Sequence, residues 1–299
     1  MLALVGPTAT GKSAIAMMVA QARGDVEIVV VDAMQVYRRM DIGTAKPTAA
    51  EQRLVRHHMI DIAEPSVDYS LSLYQRDALA AIADIEARGR VPLLVGGTGL
   101  YLRAVVDQLD IPPQYEAVRE ALDADTDTAG LHRQLCEVDP VAASRMEPSN
   151  RRRIVRALEV TLGSGRPFSS FGPGLAAYAT TTTRLLAIGM DRPALDARIE
   201  ARYARQMEAG LLDEVQSLLD EPAGLSRTAA QALGYKELID HVRGEVPLAT
   251  ALATAIARTR RFARRQERWF RRDPRIRWLD GSNPVEARDA VLEECNSCD

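Results

Sequence analysis

The sequence predicts an α/β protein, a mainly parallel sheet flanked by helices and carrying a helical insertion. Three observations carry that prediction. Short apolar runs alternate with helical stretches, a glycine-framed loop joins the first run to the first helix, and a long central segment contains no such run. Strands of a parallel core are covered on both faces and read as unbroken Val/Ile/Leu runs. Their alternation with helices implies crossover connections.

The elements follow in order. "LALV" (2–5) is the first strand, and Ser13 to Ala22 a helix. "EIVVVD" (27–32) is the second strand. The helical "YQRDALAAIADIEARG" ends in glycine and leads into "VPLLVGG" (91–97), the third. "LLAIGMD" (185–191) is the fourth and precedes an amphipathic stretch from Ala194 to Leu219. Between them, "PPQYEAVREALDAD", "AGLHRQLCEVDPVAASRM" and "NRRRIVRALEVTLGSG" read as helices and "RPFSSFGPGLAAYATTTT" as loop. The expected division is a core of residues 1–110 and 184–299 with an insertion at 111–183. Residues 225–272 are helical again and end rich in arginine.

Composition narrows the function classes. The chain has 299 residues, 46% of them hydrophobic, and no apolar run approaches a membrane-spanning length. No basic region followed by a hydrophobic signal core opens it. A cytoplasmic protein is expected, without membrane association and, since no self-complementary apolar seam stands out, monomeric. Cys136 sits in a helical apolar pattern and reads as core, while Cys295-x-x-Cys298 lacks the further ligands a zinc site needs. His57 and His58 are adjacent in an extended segment, so they point to opposite faces and cannot readily share an ion; His132 and His241 are isolated. The formal net charge is −3, yet Ala257 to Trp278 holds ten arginines against only Glu267 and Asp273. A basic segment on an acidic body points to a polyanion-binding surface.

"GPTATGKS" satisfies G-x-x-x-x-G-K-S after a strand and before a helix. The residues Gly6, Pro7, Thr8, Ala9, Thr10, Gly11, Lys12 and Ser13 would wrap a phosphate in backbone N–H groups at a helix N-terminus. Lys12 would supply a point charge and Ser13 a ligand for Mg²⁺. The fold class is therefore P-loop NTPase-like. Asp32 ends the second strand, where ligands of such sheets bind. A small-metabolite kinase and an RNA-binding nucleotide switch both remain open on the loop alone. Neither a guanine-reading motif nor an acidic metal-binding pair at the end of a further strand supports them, and the kinase reading leaves the arginine segment unexplained.

"VVVDAMQVYRRMDIGTAKP", "HHMIDIAEPSVDYS", "VPLLVGGTGLYLRAV", "DRPALDARIEARYARQMEAGLLDEV", "ALGYKEL" and "RTRRFARRQERWF" follow the loop. In this order, nearly end to end, the chain resembles the tRNA dimethylallyltransferase family. The resemblance implies that the loop and Mg²⁺ hold the diphosphate of dimethylallyl diphosphate, whose five-carbon group passes to N6 of adenosine 37, next to the tRNA anticodon. It implies Asp32 as the general base, Thr98 of "GGTGLY" on the N6 amine, and Arg202 on the diphosphate, with Arg198 a second candidate on the same helical face. Ala33 stands where the family commonly has serine, which removes a hydroxyl contact. The implied tRNA contacts are Asp32, Ala33, Met34 and Gln35 on the flipped base, Arg152, Arg153 and Arg156 in "RRRIVR", and Gln231, Gly234, Tyr235 and Lys236 in "QALGYK". Arg261, Arg264 and Arg268 recur at helical spacing and complete the set, with Trp269 placed to stack on a base.

Overall fold

A computed structural model describes residues 1–172, 174–175 and 177–296. Six strands form one sheet: β1 (Leu2–Val5), β2 (Val26–Val31), β3 (His57–His58), β4 (Val91–Gly96), β5 (Arg184–Gly189) and β6 (Ile276–Asp280). Their order is β3-β2-β4-β1-β5-β6, and every pairing is parallel. The helices are α1 (Lys12–Arg23), α2 (Ala49–Leu54), α3 (Leu71–Ala87), α4 (Gly99–Val106), α5 (Glu116–Ala124), α6 (Thr128–Val138) and α7 (Pro140–Ser144). They continue with α8 (Arg151–Ser164), α9 (Arg192–Glu208), α10 (Leu211–Leu219), α11 (Tyr235–Val242), α12 (Leu248–Arg271) and α13 (Pro284–Asn296).

The four predicted strands are β1, β2, β4 and β5, and their interiors are buried throughout. Alternate residues feed two cores, as the period-2 geometry of a strand requires. Leu2, Leu4, Ile28 and Val30 pack with α1 and α13, whereas Ala3, Val5, Val29 and Val31 pack with α3, α10 and α11. Two strands escaped the sequence. β3 has two residues, and β6 is a sheet-edge strand with mixed exposure in place of an apolar run. The amphipathic stretch from 194 to 219 is two helices, because Gly210 takes φ +94° between them.

The chain divides into two compact units, residues 1–106 with 181–299, and residues 107–180. The second unit has its own core, in which Leu122, Leu131, Leu135, Ile154 and Leu158 meet. Arg156 belongs to that interior scaffold. It donates to Pro112 O (2.6 Å), Pro113 O (3.1 Å) and the buried Glu159 carboxylate (2.7 Å). Arg152 and Arg153 are exposed on the same helix. Cys136 is exposed, against expectation, because the buried stripe of α6 runs through Leu131 and Leu135. The buried thiol is Cys295, packed between α13 and the sheet; Cys298 lies outside the described residues. No helix among the described residues is long and apolar enough to cross a membrane.

Candidate active site

The carboxyl ends of the central strands meet at one place. The phosphate loop leaves β1, Asp32 leaves β2, and Gly97 with Thr98 leaves β4, at the sheet edge where open α/β folds bind ligands. A cavity of about 320 Å³ opens there. Thr8, Lys12 and Ser13 line it on one side, Asp32 and Gln35 on another, and Arg198 and Arg202 of α9 close it.

The loop takes its shape from its own hydrogen bonds. Pro7 O accepts from Thr10 Oγ1 (3.0 Å) and from Lys12 Nζ (2.6 Å). Gly11 turns with φ +96° into α1, and no side chain caps that helix. The first N–H groups of α1 are thus left for an anion, with the positive end of the helix dipole behind them. Ala9 also holds a positive φ, +66°.

Three ionisable groups face one another across this space. Lys12 is only 8% exposed; burial drives its pKa from 10.5 down to about 7, against an upward pull from Asp32. Burial moves Asp32 the other way, above the ordinary carboxylate value. The backbone N–H groups of Met34 (2.8 Å) and Gln35 (3.3 Å) on its Oδ1 and the charges of Arg202 and Lys12 oppose the rise. Burial lowers Arg202 from the ordinary guanidinium value. Its two ends donate to Thr8 Oγ1 (3.0 Å) and Gly43 O (3.3 Å). A site with two desolvated cations and one carboxylate is poised for an anion that repays the burial of the cations.

Glu214 shapes the wall behind Arg202. Its carboxylate accepts from the backbone N–H groups of Asp41 (2.9 Å), Ile42 (2.8 Å) and Gly43 (3.1 Å) and from the Tyr235 hydroxyl (2.5 Å). Gln206 closes the same loop by donating to Ile42 O and Gly43 O. Gln35 donates to Thr44 O at 3.0 Å, linking this loop to the turn that follows Asp32. Lys46 serves structure as well, buried against Tyr37 O, Asp41 and Asp61 at 2.5 to 2.8 Å. Neither Glu214 nor Gln266 was singled out by sequence. Gln266 of α12 also lines the cavity.

The remaining expected residues separate. Thr98 starts α4 and accepts at its carbonyl from Tyr101 and Leu102. Tyr235 is fully buried on Glu214, so it is a scaffold residue and not a surface contact for RNA. Gly234 is buried too, its N–H given to Glu237. Gln231 is exposed and Lys236 half-buried. Trp269 is half-buried over α4, where a Cβ added to Gly99 would lie 2.2 Å from its ring. Arg261, Arg264 and Arg268 are exposed along α12. His57 and His58 do part to opposite partners, Val55 O and the buried Glu27 carboxylate.

The chain matches known proteins over its whole length. A family model described as IPP transferase covers residues 35–273, and one described as isopentenyl transferase covers residues 1–66. A tRNA dimethylallyltransferase from a Nocardioides species is 46% identical over 287 residues, spanning 95% of this chain and 92% of that protein. The crystal structure of a tRNA isopentenylpyrophosphate transferase from Bacillus halodurans has TM-score 0.70 at 37% identity, covering 99% of this chain and 98% of that one. Its counterpart from Staphylococcus epidermidis has TM-score 0.72 at 32% identity, covering 100% and 99%. With both ends of the sheet, the phosphate loop and the arginine-bearing helix inside these matches, the chain belongs to the IPP transferase family.

Proposed function

We propose that this chain transfers the dimethylallyl group of dimethylallyl diphosphate to N6 of adenosine 37 in tRNA, releasing diphosphate. The observation that carries this reading is the single cavity in which a cationic phosphate loop and a desolvated carboxylate face each other. A kinase would use the same loop and carboxylate but would leave the exposed arginines of α12 without a role; an alkyl transfer to tRNA uses all three.

The chemistry follows from these groups. The N6 lone pair attacks the allylic carbon, the carbon–oxygen bond breaks, and its electron pair leaves on the diphosphate. The α1 amides, Lys12 and Arg202 stabilise that growing charge. Asp32 takes the N6 proton, which becomes acidic only as the new bond forms. Its elevated pKa makes it a better base than an ordinary aspartate. Thr98 holds the amine, and the bend Asp32–Gln35 receives the base after it leaves the anticodon stack. Gln231, Lys236, Arg152, Arg153 and the exposed arginines of α12 take the phosphate backbone.

The donor set suits Mg²⁺. Ser13 offers a hard hydroxyl oxygen on the cavity wall, and no cluster of three or more His, Cys, Asp or Glu side chains among the described residues could cage a metal. Mg²⁺ held by the Ser13 hydroxyl would supply positive charge beside the leaving group. The test is transfer of label from dimethylallyl diphosphate to unmodified tRNA bearing an adenosine after the anticodon. Label on that adenosine is expected. Failure of transfer by folded, Mg²⁺-supplied protein, or stabilisation by ATP in preference to dimethylallyl diphosphate, overturns the reading.

A further inference from the structure

The side chain of Gln266 spans the two halves of the site. It projects from α12, is 7% exposed, and continues the buried stripe of that helix between Ala263 and Phe270. Its Oε1 accepts from the backbone N–H of Thr8 at 2.9 Å, and its Nε2 donates to Gly97 O at 2.8 Å. Thr8 belongs to the phosphate loop, and its hydroxyl is held from the other side by Arg202 at 3.0 Å. Gly97 precedes Thr98 in the turn after β4. One planar amide therefore ties the loop that takes the leaving group to the turn that takes the acceptor, across 258 and 169 residues of chain.

The contact suits an amide, which offers an acceptor oxygen and a donor nitrogen on one planar, uncharged group. The Thr8 N–H is engaged by Gln266, so the bond sets where the loop stands. Gly97 makes room for it, because a Cβ there would lie 2.4 Å from Gln266 Nε2. Leaving a buried N–H and a buried carbonyl both unpaired would let the two segments shift apart.

We infer that Gln266 is a positioning residue for the transfer: by tying the phosphate loop to the turn before Thr98, it fixes the distance between the diphosphate and the N6 acceptor. This rests on the reaction proposed above. Misplacement of reacting groups by about 1 Å can lower a rate by roughly a hundredfold, so the defect belongs in the chemical step and not in affinity.

The experiment compares the parent with Gln266→Met, which keeps the side-chain length and removes both hydrogen bonds, and with Gly97→Ala, which displaces the amide from the opposite side. Single-turnover rate constants are measured with saturating dimethylallyl diphosphate and tRNA, so that the folded fraction sets the amplitude and not the rate. Each variant is expected to be roughly ten- to hundredfold slower, with tRNA affinity within about threefold of the parent. The double variant should be no slower than the worse single one, because both changes break the same bridge. Rate constants within twofold of the parent, a loss confined to tRNA affinity, or fully multiplicative defects overturn the inference. If Gln266→Met does not fold, Gly97→Ala alone decides, and a normal rate in it refutes the bridge. A parent that transfers no label refutes the proposed reaction itself, separately from any result on Gln266.

Discussion

Replacing Lys12 by methionine should stabilise the ligand-free protein while destroying diphosphate binding. Burial moves the Lys12 pKa from 10.5 to about 7, and one pKa unit corresponds to about 1.4 kcal/mol. At pH 7.5 the displacement opposes folding by about 4 kcal/mol. Lys12→Met removes that opposition and forfeits the bond to Pro7 O, worth about 1 kcal/mol, for a net gain of about 3 kcal/mol. The folded pKa lies below the unfolded one, so between pH ~7 and ~10.5 the unfolded chain binds the extra proton. The parent therefore gains stability as pH rises through this window, and the variant does not. Urea denaturation at pH 6.5 should show the variant more stable by about 3 kcal/mol, with the gap nearly closed at pH 9.5. Adding diphosphate with Mg²⁺ should raise the parent's midpoint by mass action and leave the variant unmoved. A variant no more stable than the parent at pH 6.5 refutes the account of a desolvated lysine awaiting an anion.

Asp32→Asn should lower transfer by at least about a hundredfold while tRNA affinity by filter binding stays within about threefold; near-normal turnover removes Asp32 as the base. In the parent, Asp32 must be ionised to accept a proton, and burial raises its pKa. The acid limb of the kcat/KM profile should accordingly lie above that of an ordinary aspartate, and a limb at or below the ordinary value contradicts the desolvation. Glu214→Gln should destabilise the protein by about 2 kcal/mol and Tyr235→Phe by about 1 kcal/mol, since one loses a charged acceptor for three N–H groups and the other a single hydroxyl bond. Chemical denaturation checks both, and a Tyr235→Phe defect confined to tRNA affinity would return that residue to the RNA surface. Changing Arg261, Arg264 and Arg268 together to glutamine should reduce the salt dependence of tRNA binding by about 2 to 3 in log–log slope; an unchanged slope places the RNA elsewhere.

What could be read in advance divides along a physical line. β1, β2, β4 and β5 are covered on both faces, which forces unbroken apolar runs. β6 lies at the sheet edge, where no such constraint acts, and "IRWLD" gives no run to find. The phosphate loop and Asp32 were legible because local spacing carries their geometry. Glu214 was not, because its partners are backbone N–H groups 171 to 173 residues away, and any side chain's backbone can supply those. Gln266 did leave a trace. The buried stripe of α12 runs Ala251, Ala255, Thr259, Ala263, Gln266, Phe270, and a long polar residue on such a stripe must find partners inside. Tyr235 stands in a stretch for which the resemblance implies an RNA contact, yet its ring is fully buried and its hydroxyl is given to Glu214.

The arginine excess near the C-terminus is two populations, and helical phase separates them. Arg258 pairs with Glu237, Arg260 with Glu200, Arg271 with Glu267, Arg275 with Asp273 and Arg277 with Glu294. These tie α12 and β6 to α9, α11 and α13, or brace their own segment. Among the described residues, Arg261, Arg264, Arg265, Arg268 and Arg272 make no ion pair and are exposed. Only a guanidinium whose charge is not already met by a carboxylate displaces counterions from a phosphate in full. The polyanion surface is therefore about half as strong as the count of ten arginines implies. It also occupies the side of α12 opposite the stripe that carries Gln266. One helix thus presents charge outward, where it can meet RNA, and a neutral amide inward, where it joins the phosphate loop to the turn after β4.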